Sequence, residues 1–227
     1  MAVAAAWLAL AGPALGAGGY TFPPAKHVPD VLGNDINDTG GGLMIINAGW
    51  GDGIGDIYTN GNYVSNAFVG YYLENTVNIM AMDEAADCAI GWYLMDGIDD
   101  PLAVTWLWGS TVHNSYVGIL AEGGYSAYGN ALDLSGNQVG VQLNSSSIMM
   151  EASDLSGNAG TGIVAEYDSY AWAFDCDLNG STYGAWVWNS MAIMENCTVH
   201  DNALGGVMAE GADSLVQTEN STLSSAS

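Results

Sequence analysis

A glycine-led unit of about 22 residues, strand-like alternation after each glycine, and no proline beyond Pro101 together predict one fold class. That class is all-β: a single-stranded right-handed parallel β-helix. The repeat comes first. A Gly opening an alternating run recurs at Gly49, Gly70, Gly91, Gly118, Gly140, Gly162, Gly184 and Gly206, in steps of 21, 21, 27, 22, 22, 22 and 22. A fixed period of this length marks stacked repeats. So thin a unit cannot bury its own apolar side, but a pile of copies can. Equivalent strands then pair in parallel at roughly 4.8 Å, and parallel crossovers are almost always right-handed.

The alternation follows each Gly as "GYYLE", "GILAE", "GVQLN", "GIVAE", "GAWVW" and "GVMAE". Apolar residues at every second position point to one face of a strand. A second short strand ends each unit, in "NALDLSGN", "MEASDLSGN", "AFDCDLNGS" and "MENCTVHDN". There Leu132/Leu134, Leu155, Cys176/Leu178 and Cys197/Val199 fall in phase, with Asp133, Asp154, Asp177 and Thr198 on the opposite side. The following Asn114, Asn137, Asn158 and Asn202 suit tight turns, because Asn tolerates left-handed backbone. The missing proline fits strands that all donate their N–H groups to a ladder.

Three regions result. Residues 1–17 resemble a secretory signal peptide: an apolar run from Ala2 to Leu10, then Gly12-Pro13 and small residues at Ala14 and Gly16. Residues 18–42 read as an irregular lead-in, and 43–227 as the β-helix, ending mid-coil. The coil opened by Gly91 is longer, and its extra residues are expected as a loop around Asp99 to Leu102. Loops of this kind often carry function in solenoids.

The chain holds 25 acidic residues, one Lys (Lys26), no Arg, and a net charge of −24. Such a surface repels nucleic acid, anionic lipid and acidic polysaccharide. No segment is long and apolar enough for a membrane span. The expected partners are a polysaccharide or a surface protein.

From about Leu43 onward, coils of the form "GIxL…DLSGN" resemble the right-handed parallel β-helix repeat of pectate-lyase-like proteins. That resemblance implies the fold, and it implies enzymes that act on polysaccharides as relatives. Pectate lyases pair Ca²⁺-binding carboxylates with an Arg base, and pectin methylesterases need an Arg as well. Polygalacturonases use several Asp with Gly-His-Gly and Arg-x-Lys. This chain lacks Arg, and His113 and His200 sit in "TVHNS" and "TVHDN". None of the three mechanisms transfers to it. The two histidines share one repeat position four coils apart, so they read as turn residues rather than one site.

The expectation is therefore a secreted or cell-surface module that binds without catalysis. Its candidate ligand face lies two and four residues after each repeat Gly: Tyr72, Glu74, Tyr93, Glu122, Glu166, Trp186, Trp188 and Glu210, with Trp106 and Trp108 extending the patch. Rings stack on sugar faces, while carboxylates accept hydroxyl protons. An enzyme alternative rests on Asp99 and Asp100 with Glu122. A third alternative is a structural spacer within a larger surface protein. No cofactor is expected beyond Ca²⁺, whose candidate ligands are the stacked Asp133, Asp154 and Asp177. Asp96, Asp99 and Asp100 form a second acidic group. Cys176 and Cys197 stack one coil apart, within disulfide reach or packed as small apolar groups; Cys88 has no partner.

Overall fold

The computed structural model describes residues 30–46, 57–97 and 104–225. Residues 1–17, and Asp99 and Asp100, lie outside them. Each coil visits three faces. The first face is a nine-stranded sheet running from Asp30–Leu32 through Thr105–Trp108 and Tyr170–Phe174 to Leu215–Glu219. The third is an eight-stranded sheet from Gly41–Ile46 to Gly205–Glu210. Between them lie short strands, such as Glu84–Ala86 and Thr111–His113. From Thr111 these continue as single parallel bridges through Asp133, Asp154 and Asp177 to Thr198. Among the described residues no helix is long and apolar enough to cross a membrane.

Equivalent residues superpose in columns. Val141 pairs with Ile163, Ile163 with Ala185, and Ala185 with Val207, in one interior column that begins at Leu43. The largest side chains of this column stand near its start. Tyr71 and Trp92 fill the column near its start, and Ala185 does so further on, where Ala165, Ala171, Ala173 and Ala192 are also buried.

The repeat glycine has a steric cause. A Cβ on Gly70 would stand 2.6 Å from the carbonyl oxygen of Gly91, and one on Gly140 would stand 2.6 Å from that of Gly162. Backbones of successive coils are too close there for any side chain. The pairing also corrects the assignment of the first unit. Gly42 rather than Gly49 stacks on Gly70, because Gly41 pairs with Val69. That first step is 28 residues, as in the bond between Asn34 and Asn62. Its extra residues fall between strands Gly41–Ile46 and Ile57–Asn60, just as those of the longer Gly91 coil fall before Thr105–Trp108. The expected irregular lead-in of 18–42 also changes. From Asp30 it is already coil, since Asp30–Leu32 pairs with the strand Ile57–Asn60 and Asp35–Asn37 with Tyr63–Ser65.

The described corners contain one residue with left-handed backbone, or two in succession as at Gly123–Gly124 and Tyr167–Asp168. Between the first and second faces it is Gly61, Met82, Gly109, Ala131, Ala152, Asp175, Asn196 or Asn220. At the next corner Asn114 takes this role at φ 54°, but in later coils it passes to Gly136, Gly157, Gly180 and Asp201. Asn137, Asn158 and Asn202 sit one position later and point inward, buried. They form a ladder instead of turns. Ser115 N–H donates to Asn137 Oδ1 at 2.9 Å, Asn137 N–H to Asn158 Oδ1 at 2.8 Å, and Ser181 N–H to Asn202 Oδ1 at 2.8 Å. A serine ladder lines the corner after the third face, where Tyr125, Ser146 and Ser169 N–H donate to the hydroxyls of Ser146, Ser169 and Ser190. A mixed ladder of Asn34, Asn62, Asp83 and Ser110 lines the remaining corner. Backbone N–H groups that leave the sheets at a bend are thus satisfied by the neighbouring coil.

Candidate functional site

The third face carries the expected columns without a slip. Tyr72 pairs with Tyr93 and Tyr93 with Leu120; the column then runs through Gln142, Val164 and Trp186 to Met208. Two residues further along each strand, Glu74, Met95, Glu122, Asn144, Glu166, Trp188 and Glu210 form a second column in the same registers. Carboxylates occupy alternate coils, with an uncharged residue between each pair. This doubles their spacing to roughly 9–10 Å and keeps repulsion weak without any cation.

The rings and carboxylates on this face are coupled. Tyr72 Oη donates to Glu74 Oε2 at 2.7 Å, and Tyr93 Oη to Glu122 Oε2 at 2.5 Å. The Tyr72 and Tyr93 rings meet edge to face, with centroids 5.4 Å apart. Burial, then the bond to Glu122, push the Tyr93 phenol up to about 12. Burial and Glu74 push Tyr72 up as well. Both phenols therefore stay protonated at any physiological pH. Further along, Trp188 packs edge-on to Tyr167 at 4.7 Å, and Gln142 Nε2 reaches Glu166 at 3.4 Å. Two aromatic clusters result, separated by Leu120, Gln142 and the buried Val164.

Trp106 and Trp108 do not extend this patch. They belong to strand Thr105–Trp108 of the first face. There Trp106 stacks in register with Ile79 on one side and with Tyr128, Met149, Trp172 and Ile193 on the other. Trp108 is 50% exposed, and Trp106 and Met149 are each 39% exposed. The Trp106 and Tyr128 rings lie 4.8 Å apart, tilted by 56°. A cavity of about 520 Å³ opens beside them, lined also by Ser126, Ser147, Met149 and Tyr170. Sequence reasoning missed this face. The signal was present in "TWLWG" and "YAWAF": on strand Tyr170–Phe174 the bulky residues are the outer set, while Ala171 and Ala173 are buried.

The acidic column on the second face has the expected register, with Asp133, Asp154 and Asp177 bridged in turn. Each carboxylate, however, turns back on its own corner. Oδ1 accepts the N–H two residues on, from Ser135, Ser156 and Asn179, at 3.1, 2.8 and 3.0 Å. Among the described residues no group of three or more His, Cys, Asp or Glu side chains is arranged to hold a metal ion. In the described structure these three carboxylates cap turns through Oδ1. Asp96 lies exposed at a corner, and its companions Asp99 and Asp100 fall outside the described residues. So does any geometry of the enzyme alternative beyond Glu122.

His113 and His200 are strand residues rather than turn residues, four coils apart in register. His113 Nε2 lies 2.9 Å from Glu84 Oε1, and His200 Nδ1 lies 2.9 Å from Asp201 Oδ2. Cys88, Cys176 and Cys197 are free thiols, all buried. The hydrogen bond to Cys197, then burial, hold Cys176 well above the usual thiol range.

Comparison with known proteins agrees with the geometry. A family model described as "right handed beta helix region" matches residues 139–227. The fold is therefore a right-handed parallel β-helix, consistent with the pectate-lyase-like superfamily. No curated protein matches the sequence.

Proposed function

We propose that the chain is an exported or cell-surface β-helix module that binds a neutral glycan along its third face and does no chemistry on it. One observation carries this reading. A ring-bearing column runs beside a carboxylate-bearing column in unbroken register over the sheet from Gly41–Ile46 to Gly205–Glu210. Rings stack on sugar faces, and the adjoining Glu and Asn side chains meet hydroxyl groups. Four coils separate Tyr93 from Trp186, so a chain reaching both aromatic clusters lies along the axis and spans about 19 Å. The net charge of −24 selects against polyuronates and in favour of uncharged sugars. The signal-like start of the sequence supports export.

The test is a glycan array followed by calorimetry on the best hit. Trp186→Ala and Trp188→Ala are each expected to weaken binding about tenfold, the order of one aromatic stacking contact. Full affinity in both variants defeats the reading. The enzyme alternative retains a single carboxylate, Glu122, among the described residues. The spacer alternative leaves unexplained the exposed rings of Trp106 and Trp108, since exposed apolar patches mark contact surfaces.

A further inference from the structure

We propose that the first-face cavity beside Trp106 is a site for an organic ammonium cation, either quaternary or methylated. The proposal is independent of the glycan reading and of the third face. It rests on three observations.

The walls come first. Trp106 and Tyr128 present ring faces tilted by 56° at 4.8 Å, and Tyr170 and Met149 complete the lining of a cavity of about 520 Å³. Trp108 braces Trp106 edge-on at 6.3 Å, which fixes its plane. Trp106, Tyr128 and Tyr170 all line this one volume, and aromatic rings attract a cation through their negative quadrupole. A flat sugar platform needs only one ring.

The second observation is the state of the Tyr128 ring. Its hydroxyl donates to Glu151 Oε2 at 2.5 Å. A phenol that gives its proton to a carboxylate gains electron density on the ring, and its face becomes more attractive to positive charge. Glu151 also places a full negative charge on the neighbouring coil.

The third observation is charge complementarity. The chain is at −24 with one Lys, and the basic side chains among the described residues are His113 and His200 alone. Both lie on the second-face strands, and neither is among the described residues that line the cavity. The field favours a positive occupant over neutral and anionic ones. The lining carries hydroxyls at Ser126 and Ser147, bonded to each other at 3.0 Å, and no carboxylate. A strongly hydrated ammonium or metal ion, which would demand direct oxygen ligands, is a poor fit; a methylated one is a good fit.

Two sources share this chemistry: a free quaternary amine, and a methylated lysine on a partner chain. Calorimetry with choline, a trimethyllysine peptide and 3,3-dimethylbutan-1-ol separates them. The alcohol has the shape of choline without its charge. Choline or the peptide is expected to bind at least about fivefold more tightly than the alcohol, and Trp106→Leu or Tyr128→Leu to remove that preference. The tighter of the two cations identifies the source. Trp186→Ala, on the third face, is expected to leave cation binding unchanged. Equal binding of choline and the alcohol overturns the proposal, because the cavity is then merely apolar. So does the absence of binding by either cation, or full binding by a Trp106→Leu variant whose melting curve is normal. The comparison of choline with the alcohol uses the unaltered chain, so it stands even if a variant fails to fold.

Discussion

Met82, Ala131 and Ala152 hold left-handed backbone at φ 53°, 53° and 49°. Each pays the steric cost of a Cβ in that region, about 1–2 kcal/mol per residue. Elsewhere in the same corner column Gly61 and Gly109 avoid it. Ala152→Gly is therefore expected to raise stability by roughly 0.5–1 kcal/mol, after allowance for the greater freedom of glycine when unfolded. A urea titration checks this, and a lower midpoint contradicts it. Gly140→Ala runs the other way. Its Cβ would lie 2.6 Å from Gly162 O and 2.8 Å from Asn158 Nδ2. A loss of about 1–3 kcal/mol is expected.

A third residue-scale case concerns Asp83, a buried carboxylate whose side-chain partners among the described residues are all uncharged. Its Oδ1 accepts Asn62 N–H and Nδ2 at 2.9 and 2.8 Å, and its Oδ2 accepts Thr59 Oγ1 at 2.5 Å. Burial nevertheless raises its pKa above the ordinary 3.8. A raised folded pKa means that stability is whole below 3.8 and is lost as pH climbs through the folded value. Asp83→Asn keeps the Asn62 bonds on its amide oxygen and turns its NH₂ to Thr59 Oγ1. The variant is expected to melt higher than the wild type at pH 7, with the gap closing as pH falls below 4. A gap that is constant with pH would show that folding leaves the Asp83 pKa unchanged.

At the scale of the element, the corners carry as much of the structure as the strands. Asn158 receives the Asn137 N–H at 2.8 Å and gives its own Nδ2 to Leu155 O at 2.7 Å. Asn158→Ala strands both partners in the interior, at about 1–3 kcal/mol for each unsatisfied group. Asn114→Gly, at the exposed left-handed position, is expected to be neutral or stabilising. Thermal melts of the two variants should therefore move apart. The contrast also marks how far the sequence was legible. Strand parity follows from alternation, so both third-face columns could be read residue by residue. The role of an asparagine could not. Asn114 turns the chain and Asn137 props the preceding coil, one position apart, and composition does not distinguish them. Gly49 failed for a related reason: a step of 21 residues was mimicked by chance, whereas only the pairing of Gly41 with Val69 shows the true step. The first face was missed because in coils such as Tyr170–Phe174 the inward residues are the small ones. Ala171 and Ala173 inside with Trp172 outside reverses the usual expectation that the larger residue is the buried one.

At the scale of the whole molecule, stacking turns a sequence of single charges into columns, and the chain has almost no cations to set against them. Glu74, Glu122, Glu166 and Glu210 escape by occupying alternate coils, but Asp133, Asp154 and Asp177 stand on consecutive ones. A net charge of −24 on one rod stores repulsion that unfolding releases. Ions relieve it by screening. Raising NaCl from 10 to 150 mM shortens the Debye length from about 30 Å to about 8 Å. The melting temperature should rise over that range and then level off. KCl should act like NaCl, and CaCl₂ at equal ionic strength should add nothing more, because the three Asp carboxylates are committed to their own corner N–H groups. A chelator should then leave the melt unchanged. Scanning calorimetry in the three salts decides the matter. A Ca²⁺-specific rise would mean that the column binds cations after all, and a melt indifferent to NaCl would mean that the carboxylates do not feel one another across the coils.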